Sequence, residues 1–269
     1  MYQIVFSDVD GTLLNDNHQI TPLTKKAIIN IQKQDIPFVI VSARSPSGIY
    51  PILKQNQFKC CIIAYSGGLI LDQDYKVIYE KGMNSLGAVS IIQYIEQNHF
   101  DLSWCVYSFD DWIVKDRKDP RIQREERIVQ AKSREGNFEV VSNLSTVHKI
   151  LCICNPEHIL EIEKQLKEKF PEYMIVKSSP ILLEIMENGI SKATAINNLC
   201  QIWDIDKQYT IAFGDQYNDL EMLQTVGYGF VMGNAPKDIQ ELIGRVTLDN
   251  NHDGIYHALS QLEMIEKDY

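Results

Sequence analysis

The sequence of 269 residues predicts an α/β fold, in which a parallel β-sheet with helices on both faces is interrupted by an inserted α+β domain. Apolar runs rich in β-branched residues alternate with helical patterns in the N-terminal third, and the alternation returns in the C-terminal third. Between them, short strand candidates are mixed with two helices, which predicts the insertion. We expect residues 1–82 and 189–269 to form the main domain and residues 83–188 the inserted domain.

The N-terminal third contains three runs that predict buried strands, at residues 4–6, 37–41 and 61–65. A helix is predicted to begin at Thr21 and Pro22, because Thr caps helices well and Pro fits the first helical position. A hairpin is predicted further on, with strands at residues 69–71 and 77–79.

The middle and C-terminal thirds are interpreted in the same way. The middle predicts helices at residues 85–98 and 159–170, with strands at residues 102–107, 112–115, 149–154, 173–177 and 182–186. The C-terminal third predicts a helix at residues 193–199, strands at residues 209–213 and 228–232, and a helix that begins at Pro236.

Composition excludes several classes of function. The formal net charge of -10 argues against a surface for nucleic acid or for an anionic membrane, both of which require clustered Lys and Arg. No apolar run approaches the roughly 18 residues of a membrane span. The six cysteines are expected to be buried thiols, and Cys152 and Cys154 should share one face of a strand. The sequence therefore predicts a soluble, cytoplasmic protein, and its oligomeric state is left open.

Polar residues follow several of the predicted strands, where an open parallel sheet binds its ligands. Asp8 and Asp10 follow the first strand, Ser42 follows the second and Asp215 follows a strand in the C-terminal third. Gly11 permits a tight turn after the two aspartates. Taken alone, Asp8 and Asp10 would fit a solvated turn equally well, and Ser42 could be a helix cap.

Three further polar residues could contribute to such a site, and they are Asn218, Asp219 and Lys192. Asp219 lies close to Asp215 and Asn218, where the acidic residues could cap a helix or supply oxygen ligands for Mg²⁺. Lys192 begins a helix, where a cation is unfavourable, so we expect it to have an anionic partner.

These residues resemble the motifs of the haloacid dehalogenase superfamily. The segment Asp8-Val9-Asp10-Gly11-Thr12-Leu13-Leu14 is similar to its first motif, and Ser42-Ala43-Arg44 to its second. Lys192 resembles the third motif and residues 214–219 the fourth. The position of the insertion resembles Cof-type phosphatases, which have a Rossmann-like core and an α+β cap called C2B. The resemblance covers essentially the whole chain.

The chain departs from the Cof-type pattern at two places. Ser42-Ala43-Arg44 stands where Thr-Gly-Arg is usual, and Ser66-Gly67 stands where Asn-Gly is usual. Neither departure changes the positions of the nucleophile, the acid/base or the metal ligands. Arg44, Ser66 and Gly67 are interpreted as possible contacts to substrate or cap.

The resemblance implies a Mg²⁺-dependent phosphatase in which Asp8 attacks phosphorus and Asp10 is the general acid and base. Asp8, Asp215 and the backbone carbonyl of Asp10 would hold Mg²⁺, and Asp219 would orient Lys192 or waters on the metal. The implied contacts to phosphate are Val9, Ser42, Ala43, Lys192 and Asn218. Substrates would be small phosphorylated metabolites such as sugar phosphates, flavin mononucleotide or pyridoxal phosphate.

Other interpretations remain open at this point. A phosphomutase would use the same scaffold, and a non-enzymatic phospho-receiver or ligand-binding regulator would share the aspartates and the lysine. A dehalogenase would need neither Asp10 nor a magnesium cluster. In the inserted domain, the candidates for substrate contact are Trp104, Tyr107, Trp112, Lys115 and Arg117, although the aromatic residues could equally belong to its core.

Overall fold

The computed structural model describes residues 2–129 and 131–266, so the outermost residues of the predicted main domain, 1 and 267–269, lie outside the described part. The chain divides into two compact units. Among the described residues, the first unit contains residues 2–44, 49–79 and 191–266, and the second contains residues 45–48, 80–129 and 131–190. The domain boundaries proposed from the sequence stay a prediction.

The first unit contains a seven-stranded sheet. Strands and helices are numbered along the whole chain, and β6 to β11 belong to the second unit. The strands of the first sheet are β1 (Ile4–Ser7), β2 (Phe38–Val41), β3 (Cys61–Ala64), β4 (Leu69–Leu71), β5 (Val77–Glu80), β12 (Thr210–Gly214) and β13 (Tyr228–Val231). Their order across the sheet is β13-β12-β1-β2-β3-β4-β5.

The five strands from β13 to β3 run parallel, and β4 returns antiparallel to β3. In register, Ile4 pairs with Thr210 and Ser7 with Phe213, so β1 and β12 end side by side. The carboxyl ends of these parallel strands therefore share one edge, where ligands bind in such sheets.

Helices cover this sheet, and they are α1 (Pro22–Gln32), α7 (Lys192–Ile202), α8 (Leu220–Thr225), α9 (Lys237–Ile243) and α10 (Gly254–Gln261). On one face, Ile4 and Phe6 of β1 belong to a buried cluster that includes Ile196 and Leu199 of α7. Val5 points to the opposite face and is also fully buried. Both faces are covered, as a parallel sheet requires.

The second unit is an α+β structure with its own core. Its sheet has the order β10-β11-β9-β6-β7-β8, and its strands are β6 (Leu102–Ser108), β7 (Asp111–Val114), β8 (Arg134–Glu135), β9 (Lys149–Cys154), β10 (Tyr173–Lys177) and β11 (Leu182–Glu187). Its helices are α3 (Ser85–Gln97), α4 (Pro120–Val129), α5 (Phe138–Ser142) and α6 (Ile159–Lys169). Ile92 of α3 and Leu166 of α6 share a buried cluster with Val106 and Ile150 of the sheet.

The predicted α/β class with an α+β insertion is confirmed. Thr21 caps α1 as predicted, since its side chain accepts a hydrogen bond from the backbone N–H of Thr24, and Pro22 is the first helical residue. Helix α2 (Pro46–Asn56) was not predicted, and neither were α4, α5, α8 and α10. All six cysteines are buried free thiols, as predicted. Within the described part of the chain, no helix has the length and apolar character needed to cross a membrane.

Candidate active site

The polar residues predicted to follow strands do lie at the carboxyl edge of the first sheet. Asp8 follows β1, and its N–H donates to the carbonyl of Phe213 in β12 over 3.0 Å. Ser42 follows β2, and its N–H donates to the carbonyl of Ile63 in β3 over 2.8 Å. The hydrogen-bond ladder therefore continues past the ends of the strands and fixes the backbone that carries these side chains.

Three carboxylates are buried together at this edge. Asp8, Asp215 and Asp219 have exposed fractions of 7%, 2% and 0%, and each offers an oxygen within 4.8 Å of the others. Lys192, the first residue of α7, is 2% exposed and donates from Nζ to Asp8 and, over 2.5 Å, to Oδ1 of Asp219. The expected anionic partner of Lys192 is thus two aspartates.

The charges of this cluster do not balance. Three ionised carboxylates and one ammonium leave two negative charges in a buried place, which is costly. Burial raises the pKa of Asp8 to about 8, although the nearby Lys192 favours its ionised form. Burial also raises the pKa of Asp215. Burial opposes the charge on Lys192, but Asp8 and Asp219 outweigh that effect and raise its pKa above the ordinary value.

The three carboxylates differ in the hydrogen bonds that they accept. Asp219 is fully engaged: Oδ1 accepts from Lys192, and Oδ2 accepts from the N–H groups of Asp215 and Gln216 over 3.0 and 3.1 Å. Only one oxygen of the Asp8 carboxylate accepts a hydrogen bond within the described residues, and it comes from Lys192. Asp215 accepts hydrogen bonds from neutral side chains, whereas Asp219 accepts from an ammonium and two backbone N–H groups. Asp8 and Asp215 are therefore better placed to supply the hard oxygen donors that suit Mg²⁺, and the charge imbalance fits a divalent cation.

Asp215 is oriented by neighbours that the sequence did not single out. Its Oδ1 accepts from Thr12 Oγ1 over 2.9 Å, and its Oδ2 accepts from Gln216 Nε2 over 3.1 Å and from Asn234 Nδ2 over 3.3 Å. Asn234 lies just past the end of β13. The signal that identified Asp8 and Ser42, a polar residue after a buried strand, would have identified Asn234 as well.

The turn after β1 depends on Gly11. Its φ is +78°, a left-handed conformation that side chains disfavour. A Cβ at Gly11 would lie 2.4 Å from Oδ2 of Asp215, so a larger residue would collide with the carboxylate. Val9 closes the turn by accepting a hydrogen bond from the N–H of Leu14 over 2.9 Å. Glycine here lets the segment that contains Asp8 and Asp10 approach Asp215 closely.

The side chain of Asp10 is 53% exposed and forms a two-pronged ion pair with Arg44. Arg44 Nε donates to Oδ2 over 2.9 Å and Nη2 donates to Oδ1 over 2.6 Å. The sequence indicates Arg44 as a possible contact to substrate or cap, and in the structure it contacts the predicted acid/base. Because Arg presents a planar fork that matches a carboxylate, the pair defines the direction of the Asp10 side chain.

The loops after β2 and β3 contact each other. Ser42 is buried, its Oγ accepts from the N–H of Arg44 over 3.1 Å, and its carbonyl accepts from the N–H of Ser66 over 2.8 Å. Gly67 has a φ of +117°, and a Cβ there would lie 2.6 Å from the carbonyl oxygen of Ser191, the residue before Lys192. Gly67 therefore lets the N-terminus of α7 approach this loop.

The remaining predicted phosphate contacts differ in exposure. Asn218 is exposed, Ala43 is partly buried and the side chain of Val9 is fully buried, so Val9 has only backbone groups to offer a ligand. Their predicted roles stay predictions.

The candidate residues of the second unit are largely structural there. Trp104, Tyr107 and Trp112 are at most 6% exposed, which favours the alternative that they belong to the core of this unit. Lys115 pairs with Glu96, and Arg117 pairs with Glu126, both over 3.0 Å.

The fold is that of haloacid dehalogenase-like hydrolases. The chain belongs to this family, because the model of haloacid dehalogenase-like hydrolases matches residues 5–259. The superfamily and its Cof-type branch, predicted from the motifs, are thereby confirmed.

Individual relatives agree with this assignment. A Haemophilus influenzae protein that is provisionally named a phosphatase is 38% identical over 97% of this chain and 98% of its own length. An HMP-PP phosphatase of Yersinia pseudotuberculosis is 26% identical over 97% of this chain and 96% of its own. The crystal structure of a haloacid dehalogenase-like hydrolase from Bacteroides thetaiotaomicron superposes with a TM-score of 0.89, at 28% identity, over 97% of this chain and 100% of that one. The predicted enzyme class, a phosphoric monoester hydrolase, is confirmed.

Proposed function

We propose that this chain is a Mg²⁺-dependent phosphatase that hydrolyses small phosphorylated metabolites through an aspartyl-phosphate on Asp8. The observation that carries the proposal is the buried cluster of Asp8, Asp215 and Asp219, whose three carboxylates face one ammonium, that of Lys192. Two uncompensated negative charges suit a divalent cation, and a phosphate group could not approach them without one.

Asp8 and Asp215 would hold Mg²⁺, together with the backbone carbonyl of Asp10, which the family resemblance adds. The metal, when bound, supplies positive charge that offsets the repulsion between a carboxylate and a phosphate. Lys192 supplies a second positive charge from the first turn of α7, and its pairing with Asp8 and Asp219 keeps the ammonium in place. Ser42, Asn218 and the backbone N–H groups of Val9 and Ala43 would hold the phosphoryl oxygens.

In the first half-reaction, a carboxylate oxygen of Asp8 forms a bond to phosphorus while the bond from phosphorus to the leaving oxygen breaks. Protonated Asp10 gives its proton to that oxygen, so the alcohol leaves neutral. In the second half-reaction, Asp10 takes a proton from water as the water attacks phosphorus. Asp8 is then released as carboxylate and inorganic phosphate leaves.

Sugar phosphates, flavin mononucleotide, pyridoxal phosphate and similar metabolites are the proposed substrates. The HMP-PP phosphatase among the relatives supports a small phosphorylated substrate. The net charge of -10 makes nucleic acid an unfavourable partner.

Release of inorganic phosphate from a panel of such metabolites tests the proposal. We expect turnover with Mg²⁺, loss of turnover with a chelator, and no turnover by Asp8→Asn. Asp74→Asn is the matched control, because Asp74 is an exposed aspartate of the same unit that pairs with Lys59. A phosphomutase or a phospho-receiver would give little free phosphate from every member of the panel, and activity that survives both the chelator and Asp8→Asn would refute the mechanism.

A further inference from the structure

Asn234 connects the predicted metal ligand to the loop after β1. Its Nδ2 donates to the carbonyl oxygen of Gly11 over 2.9 Å and to Oδ2 of Asp215 over 3.3 Å. Its Oδ1 accepts from the N–H of Asn250 over 3.1 Å. Both ends of the amide are therefore engaged, which fixes its orientation.

Asn250, which donates to Asn234, is itself hydrogen-bonded to the loop after β1. It is 7% exposed, and its Nδ2 donates to the carbonyl of Leu14 over 3.0 Å and to Oδ1 of Asp16 over 3.2 Å. Asn251 adds two bonds to Asp16, one through each end of its amide, over 3.0 and 3.1 Å. We call Asn234 and Asn250 the asparagine bridge.

The asparagine bridge joins Asp215 to the loop after β1. Asn234 bonds the loop after β1 at Gly11 and also bonds Asp215. Asn250 bonds the same loop further along, at Leu14 and Asp16. Asp8 and Asp215 follow neighbouring strands whose backbones the hydrogen-bond ladder already joins, and the side chain of Asp215 must in addition be held against the loop after β1. The bridge does this with side-chain hydrogen bonds.

The chemical type of Asn234 fits a positioning role. A neutral amide can orient a carboxylate by donating one hydrogen bond to it, while the negative charge that attracts a cation stays uncompensated. A lysine at the same place would orient Asp215 and also compensate its negative charge. Partners of this kind set the orientation of metal-binding carboxylates, and their loss typically weakens metal binding by about 10–100-fold.

We propose that Asn234 is a positioning residue for Mg²⁺, which acts through Asp215 and the Gly11 peptide and is itself held by Asn250. The inference rests on the proposed function, since it presumes that Asp215 binds the metal.

Calorimetric titration of the full chain with MgCl₂ tests it, with wild type, Asn234→Ala, Asn250→Ala and the double variant. We expect Asn234→Ala to raise the dissociation constant by about 10–100-fold. Asn250→Ala should raise it less, because this variant keeps the backbone N–H that donates to Asn234 and loses only the side-chain bonds to Leu14 and Asp16. The double variant should raise it no more than Asn234→Ala alone, because Asn250 reaches Asp215 through Asn234. Asn56→Ala is the matched control: Asn56 also donates from Nδ2 to a backbone carbonyl, that of Ile52, over 2.9 Å.

Kinetics supply the second readout. If Asn234 positions the metal ligand, Asn234→Ala needs more Mg²⁺ for half-maximal phosphate release, while kcat at saturating Mg²⁺ stays within a few-fold of wild type.

A wild type that binds no Mg²⁺ would overturn the proposed function. A wild type that binds Mg²⁺ and an Asn234→Ala variant that binds it equally well would overturn this inference alone. If Asn234→Ala fails to fold, Asn250→Ala, which leaves the amide of Asn234 in place but frees the loop at Leu14 and Asp16, should still raise the dissociation constant, and an unchanged constant would overturn the inference.

Discussion

Asp8 combines two properties that oppose each other in the metal-free protein. Its carboxyl is buried, which favours the neutral form, and a nucleophile must be ionised. Lys192 stabilises the ionised form, yet Lys192 is shared with Asp219. Under the proposed function, a bound cation would complete the charge balance and keep Asp8 ionised at neutral pH.

The raised pKa of Asp8 predicts how stability depends on pH in the presence of a chelator. The unfolded pKa of Asp is about 3.9, and burial raises the folded value to about 8. The folded protein then binds a proton more tightly than the unfolded chain, so the free energy of unfolding falls as the pH rises between those values. Asp8→Asn removes this contribution.

We therefore expect the thermal midpoint of Asp8→Asn to exceed that of wild type by more at pH 8 than at pH 5. Thermal unfolding of both proteins in chelator at the two pH values measures the difference. Asp74→Asn controls for the loss of one negative charge from the same unit. If the difference in thermal midpoint between Asp8→Asn and wild type stays constant, or narrows toward pH 8, burial does not raise the pKa of Asp8.

At the residue scale, a candidate site residue could be predicted where a polar side chain follows an apolar run. Asp8, Ser42 and Asp215 carry that signal in the sequence itself. Thr12 does not, because its role depends on a hydrogen bond to Asp215, which lies 203 residues away along the chain. The pairing of Asp10 with Arg44 was missed for the same reason: the order of residues does not show which side chains a fold brings together.

At the scale of elements, the position of α7 decides where Lys192 lies. The helix begins with a cap at Ser191, whose Oγ accepts from the N–H of Thr194 over 3.1 Å. Its first turn packs against Gly67, where a Cβ would lie 2.6 Å from the Ser191 carbonyl oxygen and 2.9 Å from Cβ of Ala195. The loop after β3 therefore sets how deeply Lys192 reaches into the acidic cluster.

Gly67→Ala should lower both stability and activity. The left-handed conformation alone costs roughly 1–2 kcal/mol for a residue with a side chain, and the collision with α7 adds to it. Displacing Lys192 by about 1 Å would lower kcat by about 100-fold. Denaturant unfolding and phosphate release measure the two effects.

Gly244→Ala is the matched control for Gly67→Ala. Gly244 has a φ of +74°, but among the described residues no atom outside its own stretch of chain lies within 4 Å of the place that a Cβ would occupy, so only the conformational cost applies. If Gly67→Ala were no more destabilising than Gly244→Ala and kept full activity, the contact with α7 would not position Lys192.

The elements themselves were predictable to different degrees. The strands β9 and β10 were predicted at their observed bounds, because apolar and β-branched residues dominate both. Helix α2 contains Pro51 and begins Pro-Ser-Gly, a composition typical of loops. Helix α4 has Ile122 as its one buried residue, so it lacks the apolar periodicity by which a helix is recognised.

At the scale of the whole molecule, the acidic character of the chain and its proposed phosphate chemistry are compatible. The net charge is -10, and the positive charge that a phosphate needs would come locally from Lys192 and a bound cation. A ligand that binds the folded state stabilises it, so the metal should be visible in the stability of the protein.

We expect Mg²⁺ at 100 times its dissociation constant to stabilise the protein by about 2.7 kcal/mol. For a protein of this size, that corresponds to a rise of about 5–10 °C in the thermal midpoint. Asp215→Asn should abolish the rise, since it removes a metal-binding carboxylate, while Asp74→Asn should keep it. Scanning calorimetry with and without Mg²⁺ measures the shift, and an equal rise in Asp215→Asn would place the metal elsewhere.

The central claim, that Asp8 is the nucleophile and Asp10 the acid/base, is tested most directly by a burst experiment on Asp10→Asn with p-nitrophenyl phosphate and Mg²⁺. This leaving group needs little protonation, so the first half-reaction should proceed, whereas hydrolysis of the aspartyl-phosphate should be slow without its base. We predict a burst of about one nitrophenolate per enzyme, with a phosphoryl group on the peptide that contains Asp8 in the quenched protein. Absence of a burst, or a phosphoryl group on any other residue, would contradict the account.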